Sequence, residues 1–387
     1  MKAQRRVFTL VLPAVLVLAT AAHAQLAVTS NDNKVTLDNG TAKVLPNPAP
    51  DTVTILDLKS SPPRVVAEIA APGSVIGPPF SVALTPDERL ALIGSSSRVD
   101  PNDPTKTVPD TRVSVIDLKA SPPAVIATLE AGRSAAGAGI SINRQGTLAL
   151  VANRSEGTVS VFSIQGTTVS PVGKVTIADE KSGTSHAAFT PDGKMALVTR
   201  DGDNKISVLK IDGTNVEYTK RDINAGLRPY GIDISSRGDF AAVANIGIGQ
   251  GDADTVSLID VRATPPRVVE TVSVGQTPEG VKISPDGKHV AVVVMNGSNK
   301  AKESPFYGDH GKLVILRAKD MKLTKVAEAP IGHWSQGAAF SPDGKTILVG
   351  NMVEKDVQVF AFDGRALKEV GRIKVNGGPA AIRTAEK

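Results

Sequence analysis

The same four-step pattern recurs seven times along this chain of 387 residues. One copy runs Gln276-Thr277-Pro278-Glu279-Gly280-Val281-Lys282-Ile283-Ser284-Pro285-Asp286-Gly287-Lys288, then the apolar run Val290 to Val294, an alternating run ending Val314-Ile315-Leu316, and finally Val326-Ala327. Four short strands separated by turn chemistry, repeated every several tens of residues, are the sequence form of a β-propeller blade. The alternating third strand is read at Thr52 to Leu58, Arg112 to Leu118, Thr158 to Ile164, Lys205 to Ile211, Thr255 to Val261, Lys312 to Ala318 and Asp356 to Phe362. The first strand is read at Phe80 to Thr85, Ala138 to Asn143, His186 to Thr190, Tyr230 to Ser235, Glu279 to Ser284, Gln336 to Ser341 and Pro379 to Thr384. Its seven copies are offset by one blade. Segment Leu26 to Pro46 offers a second strand, Ala42 to Leu45, and no first one, so the C-terminal strand is expected to complete the first blade. The pattern therefore predicts an all-β fold, a seven-bladed propeller of four-stranded blades closed by the C-terminal strand.

The repeat runs to the end without a Gly/Ser- or Pro-rich linker, so residues 25–387 are read as one domain. Residues 1–24 read as a secretory signal peptide: Lys2, Arg5 and Arg6 precede an apolar stretch from Val7 to about Ala19, and Ala22-His23-Ala24 fits the small-x-small rule for cleavage after Ala24. No later stretch is apolar for the ~20 residues of a spanning helix. Periplasmic or secreted localisation is expected. The absence of cysteine excludes disulfides, thiolate nucleophiles and thiolate metal sites. Three of the 44 Lys and Arg and none of the 39 Asp and Glu fall in the leader, which leaves a mature charge of about +2. That balance gives little electrostatic reason for nucleic-acid binding.

Chain direction alternates within a blade, so the links after strands one and three share one face, and those after strands two and four share the other. Tight Thr/Ser-Pro-Asp turns and Ser-Pro-Pro links make the first face plain. Insertions Ser95 to Thr111, Asn245 to Asp254 and Asn296 to Gly311 all follow strand two and mark the opposite rim as the binding side. The same rim receives the approaches to strand one, which carry most of the reactive side chains. His186 and His333 are the candidate catalytic bases. Arg133, Arg200, Arg228, Tyr230, Glu279, Trp334 and Gln336 are the candidate ligand-binding residues. No local spacing of a zinc site occurs; Asp100, Asp103, Asp110, Asp252, Asp254, Asp309 and His310 on the insertions offer oxygen ligands suited to calcium, but no metal and no cofactor is expected.

Ser284-Pro285-Asp286-Gly287-Lys288, Val151-Ala152-Asn153 and Val113-Ser114-Val115-Ile116-Asp117-Leu118 resemble the repeat of the YVTN-type seven-bladed β-propeller family, over essentially all of the mature chain. Resemblance to its YncE-like secreted branch implies a binding protein, with nucleic acid among the ligands; a small molecule, a protein or single-stranded nucleic acid is the expected partner at the rim, and a monomer is expected. The related propeller lactonase group, which includes propeller-type 6-phosphogluconolactonase, often carries an Arg-His pair leading strand one and a Glu closing strand two. Here His186 takes the place of that His, Ser185 stands for the Arg, and the strand closes at Thr199-Arg200. Two alternatives to the binding protein stay open: a lactone hydrolase with a rim histidine as base, and an interaction scaffold of the cell envelope.

Overall fold

The computed structural model describes residues 25–75 and 79–386; the leader read at 1–24 lies outside the described residues. Seven four-stranded antiparallel sheets are arranged as the blades of a propeller, and the described residues contain one short 3-10 turn, Glu180–Ser182. The ring closes as expected. Gly378–Thr384 pairs with Leu26–Asp32, which pairs in turn with Thr52–Asp57 and then Arg64–Ala70.

One strand was misplaced by the sequence reading. The second strand of blade one is Leu26–Asp32, whereas Thr41–Val44, close to the expected Ala42 to Leu45, pairs with Val35–Asp38 in a hairpin inserted between strands two and three. The true strand reads as polar because Thr29, Ser30 and Asn31 are buried. Asn31 repays its burial by donating through Nδ2 to Thr52 Oγ1 (3.0 Å) and Thr54 Oγ1 (2.8 Å) on the neighbouring strand.

That clamp is a repeated device. Asn153 donates to Thr158 and Ser160, Asn245 to Thr255 and Ser257, and Asn351 to Asp356 and Gln358, each from the last position of strand two to strand three. The turns after strand one repeat too. In four blades a Thr or Ser hydroxyl meets the Asp two residues on, as Thr85 with Asp87, Thr190 with Asp192, Ser284 with Asp286 and Ser341 with Asp343, at 2.5–2.6 Å. These bonds hold the reversal in a side-chain-closed turn.

The apolar residues of strands one to three pack between blades. One cluster joins Phe240, Ala242, Val256 and Leu258 of blade five to Val281, Val292, Val294 and Val314 of blade six, and equivalent clusters fill each of the other interfaces. Outer strands such as Arg267–Ser273 alternate exposed and half-buried positions, because only one side of each meets a neighbour.

Four insertions, one more than expected, stand on the rim. The blade-one hairpin reaches across blade seven to the blade-six insertion, where Asn39 Nδ2 donates to Glu303 Oε2 (2.9 Å) and Asn39 Oδ1 accepts from Lys302 N (3.1 Å). Gly40, with φ of 79°, lies against the backbone of Lys300 and Ala301 where no Cβ would fit.

Candidate active site

Strand one is entered through a left-handed residue in most blades: Ser134, Arg228, Thr277 and Trp334 have φ between 51° and 55°, and Gly183 and Gly377 hold the place in blades four and one. Positive φ is costly for residues with a Cβ, so the recurrence reflects a geometric demand of the link. Strand two leaves the sheet nearby. The residue following its last position paired with strand three is polar in four blades (Asp32, Ser95, Arg154, Asp201) and apolar in the other three (Ile246, Met295, Met352). The apolar half is filled: Met295 and Met352 pack with Val35, Val75, Trp334 and Ala380 beneath the blade-one hairpin.

Beside it a charged cluster assembles from blades three to six, with Arg154 and Asp201 at the ends of strand two and Arg228, Tyr230 and Glu279 at the starts of strand one. The Asp201 carboxylate, 1% exposed, takes both guanidinium nitrogens of Arg154 (Nη2 to Oδ2 2.7 Å), the Ser185 hydroxyl (2.7 Å) and Arg228 Nη2 (3.1 Å). Burial alone would raise its pKa, but the hydrogen bonds and charge of Arg154 hold it below the usual carboxylate range. Arg154 also lies over the Tyr230 ring, 5.6 Å from its centroid, and burial pushes the Tyr230 phenol upward so that it stays protonated. Glu279, half-buried at the start of strand one of blade six, makes no hydrogen bond to these groups among the described residues. Desolvation, only partly offset by Arg228 and Arg154, pushes its carboxyl to about 7. The site thus contains an acid–base group poised at neutral pH and two arginines fixed by one buried carboxylate.

Of the residues read from sequence, Arg228, Tyr230 and Glu279 come together here. The others do not join them. Arg200 occupies the place of the clamping asparagine in blade four, where it bonds Ser207, Asp203 and Asp222; its position at the end of strand two made it structural. Arg133 is an exposed rim residue paired with Glu180 at 3.0 Å. Trp334 is 8% exposed within the apolar cluster, so its ring is not available as a stacking surface. Gln336 is buried and donates to the carbonyl of Val75. His333 lies on the rim of blade seven with Nδ1 2.6 Å from Glu354 Oε1, away from the cluster.

His186 is placed differently from the expectation of a rim base. It is fully buried, stacked on Phe80 with centroids 4.7 Å apart and planes 9° from parallel, and its Nδ1 accepts from the Ile232 amide (3.3 Å). Burial, together with the nearby Arg383, drives its pKa well below 6.5, so the ring is neutral. A Cβ on Gly139 would strike this ring. The insertion acids are not gathered either: Asp103 pairs with Lys106, Asp110 with Arg112, and Asp254 accepts from Thr277 N. Among the described residues no three His, Asp or Glu are placed to hold one metal.

Sequence reading missed Arg154, Ser185 and Asp201 as partners. Aligning Arg200 with the clamping asparagines would have placed Asp201 in register with Arg154, one residue beyond where the lactonase-type Glu was sought.

A seven-bladed propeller with this rim cluster is what the chain's own geometry defines, and the comparisons agree on the architecture. The lactonase seven-bladed β-propeller family model matches residues 165–302, which include Ser185, Asp201, Arg228, Tyr230 and Glu279. A putative 6-phosphogluconolactonase from Bacteroides uniformis is similar in structure, with a TM-score of 0.68 and 17% identity, covering 94% of this chain and 100% of that one. The periplasmic gluconolactonase of Pseudomonas aeruginosa gives 0.67 and 18%, covering 93% and 99%. Hydrazine synthase of Kuenenia stuttgartiensis gives 0.62 and 20%, covering 81% and 91%. At these identities the likeness establishes the fold alone. No curated protein matches the chain by sequence.

Proposed function

We propose that the chain is a lactone hydrolase of the 6-phosphogluconolactonase-like propeller type, acting at the rim cluster, in place of the binding-protein role expected from sequence. The observation that carries this reading is Glu279, raised to about 7 beside two arginines that Asp201 holds in place. The family model over residues 165–302 supports it, since it spans the blades that build the cluster, apart from Arg154. Ionised Glu279 takes a proton from water, whose oxygen attacks the lactone carbonyl. Arg154 and Arg228 donate to the oxyanion of the tetrahedral intermediate. Collapse breaks the ring C–O bond, and the proton on Glu279 passes to the departing alkoxide, giving the hydroxy acid. The buried Tyr230 ring backs the Arg154 guanidinium. Export through residues 1–24, and the YVTN-type repeat likeness, belong to the same proposal of a periplasmic or secreted enzyme.

The test is hydrolysis of gluconolactone and 6-phosphogluconolactone by residues 25–387, measured against the spontaneous rate. Turnover lost in Glu279→Gln and reduced in Arg154→Met, but kept in His333→Ala, is the expected result. Equal rates in all variants would refute the assignment of the site.

A further inference from the structure

The plain face also holds a pocket, at the opposite mouth of the channel. The Thr/Ser-Pro-Asp-type turns ring it, and its walls are largely apolar: Ile142, Phe189, Ile234, Ile283 and Phe340 line it together with Pro191, Pro285 and Pro342. One buried cation, Lys282, lies at its floor, and a second, Arg383, lies behind Glu386 on an adjoining small cavity. Lys282 donates to Asp233 (3.0 Å) and Arg383 stacks over Phe80 at 4.8 Å; their side chains are 11% and 4% exposed. One carboxylate oxygen bridges them: Glu386 Oε1 accepts from Lys282 Nζ (2.8 Å) and from Arg383 Nη2 (2.7 Å). The two sides of this bridge differ. The cations belong to the channel wall, whereas the Glu386 side chain is 46% exposed and comes from the segment that follows the closing strand. Among the described residues Arg383 Nη1, also buried, has no hydrogen-bond partner, so the guanidinium can donate to one more oxygen than Glu386 gives it.

We propose that this pocket is a second ligand site, for a small monocarboxylate with an apolar body, and that Glu386 occupies it as an internal stand-in for the ligand carboxylate. The ligand carboxylate replaces Glu386 between Lys282 and Arg383 and uses its second oxygen to satisfy Nη1, while its apolar body lies against Phe189, Ile234 and Phe340. Removing Glu386 leaves Lys282, Arg383 and Asp233, a net positive charge in a poorly solvated site, which favours an anion. The site is separated from the rim cluster by the stacked pair Phe80 and His186 and does not depend on the hydrolase reading.

The experiment is calorimetric titration of benzoate into the chain and its variants. Weak saturable binding is expected in the unaltered protein, and Glu386→Ala should tighten it by about tenfold because the competing internal carboxylate is gone. The paired change Lys282→Met with Asp233→Asn, which strands no charge, should abolish binding. Ser236→Trp at the exposed mouth should weaken it without touching the charged floor, while the rim change Glu279→Gln should leave it intact. No saturable binding by Glu386→Ala, undiminished binding by the paired variant, or loss of binding in Glu279→Gln would each overturn the proposal.

Discussion

Replacing Glu279 by Gln should make the protein more stable above neutral pH and remove the fall in stability that this carboxyl imposes between pH 5 and 8. The folded-state pKa of this carboxyl is raised from 4.5 to about 7, chiefly by desolvation. A raised carboxyl favours the protonated form in the native state, so its contribution is fully present below about 4.5 and is lost as pH rises through about 7. At ~1.4 kcal/mol per unit, the shift corresponds to roughly 3 kcal/mol, and partial exposure of the side chain reduces this to about 2 kcal/mol. Urea unfolding of both proteins at pH 5, 6, 7 and 8 isolates the loss as a difference that grows with pH, because the opposing rise from the buried, neutral His186 is common to both. For the same reason kcat/KM for lactone hydrolysis should rise with pH along a limb centred near 7, where the base becomes ionised. Identical pH profiles of stability in the two proteins would refute the buried-carboxyl argument, whatever the substrate proves to be.

Ring closure should be sensitive to packing in the final strand: Ile382→Ala, at a fully buried site, is expected to cost about 2–4 kcal/mol by chemical denaturation, and an unchanged midpoint would refute the closure. Asn245→Ala removes the clamp on Thr255 and Ser257 and the acceptor for Gly226 N, and should cost about 1–3 kcal/mol in the same assay. Arg228→Gly separates backbone from function: with φ of 55° relieved, thermal stability should hold or rise while hydrolysis falls at least ~10-fold through loss of an oxyanion donor. Parallel losses of stability and activity would show that Arg228 is structural.

The fold was legible because its determinants are local and repeated. Alternating third strands and Pro-Asp-Gly turns signal themselves in any one blade, and seven copies remove the ambiguity of each. Leu26–Asp32 escaped because it is a buried strand written in polar letters, whose burial is offset by a hydrogen bond to a strand twenty residues away. The site was half legible. Arg228, Tyr230 and Glu279 fall where strand one begins, a position that the repeat itself points to. Asp201 was hidden by its neighbour Arg200, whose charge suggested function although its guanidinium serves blade four as an asparagine serves the others. His186 and Trp334 misled for the opposite reason. A rare residue near a channel draws notice, yet its side chain can turn into the packing, and only the three-dimensional neighbours decide.

The link between the blade-one hairpin and the blade-six insertion gives the ring a second fastening. It spans blade seven, next to the seam where the last strand joins the first, so separation at that seam must break contacts at two heights of the disc rather than one. Stiffness is therefore distributed unequally around the circumference. The braced sector comprises blades six, seven and one, and among the described residues the sector carrying Arg154, Asp201 and Arg228 has no such strap. Amide hydrogen exchange should register the asymmetry as slower opening in the braced sector, so that Arg154 and Arg228 stand on the blades able to yield while Glu279 stands on the braced blade six.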